Sequence, residues 1–228
     1  MKLALTFAAV IGLCQAGVCL ADSVNVPYEM GGAYSLPVTS MKAARFRAMV
    51  HQQFDFSCGS AALSTLLTHH YGFKVTEQTV FEEMYARGDQ PKIRREGFSM
   101  FDMKRYLENH GFQADGFEAP LDKLESAGIP AIVLINENGY NHFVVVKGVR
   151  DGRVLVGDPS GGTRAMTQAA FNALWTNGIL FVVSNRQELA KFNLAWEWNA
   201  VPRAPIADGI SREGLAGIVL PKAGPSDF

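Results

Sequence analysis

Cysteine is scarce in this chain. It has 3 in 228 residues, and two of them, Cys14 and Cys19, fall within the first 21 positions. With that segment set aside, Cys58 is left without an intramolecular partner, and a fold stapled by disulfides is excluded. An excess of either charge is missing too. Lys and Arg number 21 against 22 Asp and Glu, a formal net charge of −1. That excludes the basic footprint of a nucleic-acid binder and leaves no acidic tail. Beyond the N-terminus no apolar run is long enough to cross a bilayer, so no transmembrane segment is expected in the mature chain. No internal repeat is visible. The histidines are scattered and make no closely spaced set with a cysteine, so no metal site and no cofactor are expected. What remains is ordinary globular composition, 48% hydrophobic and 19% charged, at a length that suits one domain with a sizeable core.

The N-terminus is a separate object. Lys2 gives a short positive region, Leu3 to Leu13 an apolar one, and Ala16-Gly17-Val18-Cys19-Leu20-Ala21 a small-residue cleavage region. Residues 1–21 read as a secretory signal peptide, too short and wrongly flanked for a spanning helix. The mature chain is then exported, with the periplasm as its expected location. It keeps one thiol in an oxidising compartment, a liability unless that thiol is buried or used.

Residues 22–46 read as a lead-in segment, extended over Asp22 to Pro37, and a short basic helix over Ser40 to His51 delivers the chain to Gln52. Residues 47–184 carry the patterned domain. A helix starts at Cys58 and stops near Gly72. Thr76 caps another helix, to Arg87. Gly88 to Gly97 reads as a polar loop, and Ser99 to Asp102 as a capping box opening a helix to about His110. The period then changes. Ile129–Ile135, His142–Val149, Arg153–Asp158 and Ile179–Val183 read as strands, with a short helix over Thr167–Trp175. Helices first and adjacent strands after give an α+β fold with an antiparallel sheet. Residues 185–228 read as a C-terminal extension, partly packed through Trp196 and Trp198.

Cys58 is the centre of the pattern. Ser57 before it is an N-cap candidate, and the cysteine then lies in the first turn of a helix. The positive helix end and unpaired N–H groups there favour thiolate over thiol. Gln52, six residues upstream, can present an amide N–H beside the Cys58 backbone N–H to hold an oxyanion. The competing reading is a buried structural cysteine. A thiol nucleophile needs a base and an orienting group. His69 and His70 lie about three turns along the Cys58 helix, too far from its start, and His110 suits a helix end. His142 opens a buried-looking strand after Gly139-Tyr140-Asn141, and Asp158-Pro159 ends the next strand. A strict two-residue turn at Asp151-Gly152 would put His142 and Asp158 on opposite faces. A three-residue loop over Arg150-Asp151-Gly152, with Gly152 left-handed, puts Val144 opposite Asp158 and His142 on its face as a diagonal neighbour.

Gln52, five residues and Cys58-Gly59, then Asn141-His142-Phe143-Val144-Val145, then Gly157-Asp158-Pro159, together resemble the three motifs of the C39 cysteine peptidases. Asp55-Phe56-Ser57-Cys58-Gly59 and Gly97-Phe98-Ser99-Met100-Phe101-Asp102-Met103-Lys104-Arg105-Tyr106-Leu107-Glu108 are similar to one subgroup, the exported stand-alone peptidases of bacterial functional-amyloid secretion systems. The resemblance implies a papain-like fold, with the helix of the nucleophile Cys58 packed on the antiparallel sheet. It implies His142 as base, Asp158 as its orienter and Gln52 as oxyanion donor. It implies a cysteine endopeptidase without cofactor, acting on a peptide or protein such as an amyloid subunit or its secretion machinery, and associated with an outer-membrane secretion pore. The chain departs from the transporter-fused members, which carry Asp where Ser57 stands, so their double-glycine leader specificity is not carried over. A non-catalytic escort module and a papain-like cell-wall amidase are the competing readings.

Overall fold

The computed structural model describes residues 23–28 and 32–201. Strands β1 (Ser23–Tyr28) and β2 (Gly32–Pro37) pair antiparallel as a two-stranded sheet of their own. From Met41 the chain forms a separate compact unit. Its helix α1 is Met41–Phe46, shorter than the basic helix expected to reach His51. The signal-peptide segment and the last 27 residues lie outside the described residues.

Helix α2, Cys58–Thr65, is the buried axis of this unit, and all eight of its residues are buried. A helix that is apolar or small on every side can sit inside a domain. A π-helical turn, Leu66–His70, continues α2, and Gly72 at φ 73° ends the run. Around it pack α3 (Glu77–Arg87), α4 (Gln90–Glu96) and α5 (Met100–Asn109). Leu63, Leu66, Leu67, Val80, Met84, Met103 and Leu107 form the core on this side of the sheet. Removing one such side chain, as in Leu63→Ala, costs about 2–5 kcal/mol. The capping box holds: Ser99 Oγ accepts from Asp102 N–H and Asp102 accepts from Ser99 N–H. Thr76 caps α3 as expected.

Two local expectations fail. Gly88 to Gly97 is not a loop but holds α4, whose only buried residue is Ile93. Its start is fixed by chemistry rather than periodicity: Asp89 Oδ1 accepts from Lys92 N–H at 3.1 Å, and Pro91 suits the first turn. Ser57 is buried but does not cap α2 with its side chain. Its hydroxyl turns back to donate to the Phe54 carbonyl at 2.9 Å, tightening the turn before Cys58.

The sheet is antiparallel with order β3-β8-β4-β5-β6-β7. The strands are β3 (Ala114–Glu118), β4 (Ala131–Glu137), β5 (Tyr140–Arg150), β6 (Arg153–Asp158), β7 (Gly162–Thr167) and β8 (Ile179–Val183). The four central strands are those legible as apolar runs. The two missed, β3 and β7, are the sheet's edges, where Asp115, Gly116 and Arg164 dilute the pattern. Helix α6 (Asp122–Ala127) was missed too, being six residues with one buried side chain. Helix α7 (Gln168–Leu174) is where Thr167–Trp175 was expected. Leu121, Ile129, Val144, Val146, Val154, Val156 and Phe171 make a second core on the other face.

The hairpin between β5 and β6 departs from expectation in an instructive way. Arg150 pairs with Arg153, so the turn has two residues, Asp151 at φ 53° and Gly152 at φ 66°. That is a type I′ turn, which suits the twist of the strands. The parity problem is solved elsewhere. Register runs Val149↔Val154 and Gly148↔Leu155, then skips to Val146↔Val156 and Val145↔Gly157. Lys147 is the extra residue of a β-bulge. An unbroken pleat would carry the face of Val149 through residues 147 and 145 to Phe143. The bulge hands it instead to Val146, Val144 and His142, the face that Val154, Val156 and Asp158 occupy on β6.

After β8 the chain runs back over the domain and ends, within the described residues, in the short helix α8 (Ala195–Asn199). Trp198 is buried and Trp196 is exposed.

Candidate active site

Cys58 begins α2 and is buried, 6% exposed. The first N–H groups of a helix have no partner within it, and the first bond of α2 runs from Ala61 N–H to the Ser57 carbonyl. Gly59 packs closely against its neighbours, and a Cβ there would lie 3.1 Å from Phe98 Cβ. The turn before Cys58 is held by rings: Phe54 and Phe56 lie 5.3 and 5.7 Å from Phe81, which meets Phe98 edge-on at 5.3 Å.

His142 near the start of β5 is also buried. Its Nε2–H donates to Asp158 Oδ1 at 2.8 Å. That bond fixes the ring's orientation and leaves Nδ1 buried with no hydrogen-bond partner. The Cys58 thiol is the other group whose interaction favours the charged ring. Burial by itself lowers the His142 pKa. The bond to Asp158, the contact with Cys58 and the negative charge of both outweigh it and raise the value from 6.5 to about 9. Burial likewise works to raise Asp158, but hydrogen bonds from His142 and Ser160 and the charge of the imidazolium hold it well below the usual carboxylate range. The site can therefore keep an imidazolium between a carboxylate and a sulfur at neutral pH.

Asp158 is held in place by groups that sequence reasoning did not find. Its Oδ1 also accepts from Ser160 N–H at 2.8 Å, Ser160 Oγ–H at 2.7 Å and Gly161 N–H at 3.2 Å. Ser160 could have been suspected, because Asp-Pro-Ser-Gly is the composition of a turn closed by its own aspartate. Its Oδ2 lies 3.3 Å from Arg164, which also forks onto Glu137 at 2.7 and 3.2 Å. Arg164 stands on the missed edge strand β7, and no spacing in the sequence points to it. Tyr140 is the other unforeseen residue. Its hydroxyl donates to the Asp55 carbonyl at 2.8 Å, tying the start of β5 to the turn before Cys58. Burial, then the nearby charge of Cys58, raises its pKa.

Gln52 is half-buried beside this turn. Its backbone N–H donates to the Pro159 carbonyl at 3.1 Å, so the segment before Cys58 is tied to the turn after Asp158. Its side-chain Nε2 donates to the Phe54 carbonyl at 3.2 Å, which engages one of its two hydrogens and leaves the second. His51 adjoins the site and its Nδ1–H donates to the Gln52 carbonyl at 2.7 Å, whereas His70 and His110 stand apart. His70 Nδ1–H donates to the Lys191 carbonyl at 2.6 Å, and burial, then the charge of Lys147, lowers its pKa to about 3. His110 Nδ1–H donates to the Tyr106 carbonyl. A groove open to solvent leads away from Cys58, lined by Phe56, Phe98, Tyr140 and Phe143 and by Arg94 and Arg95. Among the described residues no cluster of His, Cys, Asp or Glu could hold a metal ion.

Residues 47–187 match the model of the peptidase C39 family. The chain is 44% identical over 153 residues to the probable functional amyloid protease FapD of Pseudomonas aeruginosa, covering 67% of each chain. It is 41% identical over 172 residues to the protein of the same name from Pseudomonas fluorescens, covering 75% of this chain and 76% of that one. Among solved structures, a double glycine motif protease from an AMS/PCAT transporter, in complex with its leader peptide, superposes at TM-score 0.50 and 26% identity, over 59% of this chain and 89% of that one. The peptidase domain of Streptococcus ComA shares the fold at TM-score 0.51 and 20% identity, over 60% of this chain and 96% of that one. With a family match across most of its length and a helix-on-sheet fold shared with C39 peptidase domains, this chain belongs to the peptidase C39 family of cysteine peptidases.

Proposed function

We propose that this chain is an exported cysteine endopeptidase that cuts a protein of a functional-amyloid secretion pathway, with Cys58 as nucleophile, His142 as acid and base, Asp158 as orienter and Gln52 in the oxyanion hole. The observation that carries this reading is the buried 2.8 Å bond from His142 Nε2–H to Asp158, which leaves Nδ1 for the thiol. The similarity to the two FapD proteins supports the pathway, and the sequence of residues 1–21 supports export.

The chemistry follows from these positions. The Cys58 sulfur, as thiolate, attacks the carbonyl carbon of the scissile peptide. The oxygen gains the negative charge and is met by the Cys58 backbone N–H and the second Gln52 Nε2 hydrogen. His142 Nδ1 gives its proton to the departing nitrogen, the C–N bond breaks and a thioester remains. Water then attacks the thioester carbonyl and gives a proton to Nδ1. The sulfur leaves as thiolate, and the carboxylate product departs. Asp158 keeps the charged ring aligned throughout and takes no proton. A substrate laid in the groove would meet aromatic walls and two arginines.

Iodoacetamide alkylation of Cys58 tests the assignment. The wild-type thiol should react well below pH 8.5, the ordinary thiol value, and His142→Ala should return it to the ordinary profile. Cys58→Ala should abolish cleavage and leave the melting temperature close to wild type. Alkylation that ignores His142 would remove the histidine from the mechanism. A Cys58→Ala strain that secretes its partner protein normally would favour an escort over an enzyme.

A further inference from the structure

Lys147 is one of the largest completely buried side chains among the described residues, and it carries a charge. Its ammonium group lies 2.7 Å from Glu197 Oε1, donates to the Ala48 carbonyl at 2.9 Å and reaches Thr163 Oγ1 at 3.3 Å. A buried ammonium without a counter-charge is strongly disfavoured, so its position depends on Glu197, which is buried as well. The same residue is the bulge of β5 that turns His142 toward Asp158. Its stem lies over Gly157, where a Cβ would come within 2.8 Å of Lys147 Cδ and 2.9 Å of Met49 Sδ.

The chain that brings Glu197 also grips the bulge by its backbone. Asn193 N–H donates to the Lys147 carbonyl at 3.0 Å, and the Asn193 side-chain amide donates to the Val149 carbonyl at 2.9 Å. Gly148 makes room for this, since a Cβ there would lie 2.3 Å from Asn193 Oδ1 and 3.2 Å from Trp198 Nε1. Both ends are fastened. Lys191 N–H donates to the His70 carbonyl at 2.9 Å, and the Arg150 guanidinium sits 4.8 Å from the Trp198 ring. The clasping residues Lys191, Asn193, Glu197 and Trp198 lie beyond residue 187, where the family match ends.

We propose that residues 191–198 form a clasp that positions His142 against Asp158 by fixing the Lys147 bulge, with Lys147 and Glu197 as positioning residues for the peptidase reaction. The inference rests on the assignment of His142 and Asp158 given above. The bulge is an irregularity with a competing register: sliding Lys147 into the pleat moves β5 by one residue and brings Phe143 to the face of Asp158. The clasp opposes that slide at the backbone of Lys147 and Val149 and at the Lys147 ammonium. Through the Ala48 carbonyl, Lys147 also steadies the segment that enters Gln52. Neither residue of the ion pair touches Cys58, His142 or Asp158 by any hydrogen bond or ion pair of its own.

The test is the pH profile of Cys58 alkylation by iodoacetamide, with thermal melting of the same full-length samples. Glu197→Gln strands a buried charge and can lower the folded fraction. The decisive variant is therefore Lys147→Met with Glu197→Met, because replacing a buried ion pair by apolar residues of similar volume is commonly neutral or stabilising. The expected result is a cooperatively folded double variant whose alkylation at pH 6 is slowed at least ~10-fold, toward the His142→Ala profile. A folded double variant with the wild-type profile overturns the clasp and leaves the triad standing. A wild-type profile unaffected by His142→Ala overturns the triad, and the clasp with it.

Discussion

Asp158→Asn tests the electrostatics of the site most directly. The substitution keeps the side chain's shape and removes its charge. In the wild type the His142 pKa is raised from 6.5 to about 9, a preference for the charged ring on the order of 3 kcal/mol. At pH 7.5 a ring with that value is almost wholly imidazolium, whereas at 6.5 only about a tenth is charged. In the variant the burial of His142 persists while the bond and charge of Asp158 are lost and only Cys58 still opposes burial, so the value should fall from about 9 toward 6.5. At pH 7.5 kcat/KM on a peptide substrate should drop ~10–100-fold, less than the loss from removing the base itself. Its alkaline limb should move down from near 9 toward 6.5. Stability should follow the same ring. A raised His142 value contributes stability that is fully present below pH 6.5 and is lost as pH rises through about 9. The depressed Asp158 value contributes stability above the usual carboxylate range that is lost as pH falls through its folded value. The melting-temperature gap between wild type and Asp158→Asn should therefore be widest near pH 5–6 and narrow above 9. Profiles measured from pH 5 to 10 decide the matter, and an alkaline limb that stays in place in the variant would falsify the role given to Asp158.

Two other outcomes follow from the site and the N-terminus. Gln52→Ala should slow turnover by ~10²–10³ while leaving iodoacetamide alkylation intact, the pattern of one lost oxyanion donor; unchanged turnover would assign Gln52 to the Pro159 tether alone. Periplasmic protein should begin at Asp22 and titrate as one thiol when reduced, and an intact Met1 terminus would refute export by this signal.

The chemistry of this protein was legible in its sequence where local rules govern. A lone cysteine opening a run of small residues, a histidine opening an apolar run and an Asp-Pro closing the next run each mark a place where backbone regularity stops. Helix starts, strand ends and turns are short-range events, so the helix start at Cys58, the strand places of His142 and Asp158, and the capping box at Ser99 could be read from spacing. The helix α4 could not, because a helix whose one buried side chain is Ile93 has no apolar period. The edge strands β3 and β7 failed for a like reason: half of an edge strand's environment is solvent, and its residues need not alternate.

What the sequence could not supply was how His142 and Asp158 come to share a face. It required an extra residue in the hairpin, and parity alone does not say where that residue sits. The turn took its preferred two-residue form, and the extra residue went to Lys147, inside β5 and not in the turn. That placement was decided by contacts made across the fold: Glu197 from α8, the Ala48 carbonyl from the segment before Gln52, and Gly157 leaving space on the neighbouring strand. A buried lysine reads in sequence as a surface residue interrupting a strand. Only the tertiary structure, by bringing a carboxylate to it from fifty residues away, makes its burial possible and turns the interruption into the feature that aligns the site.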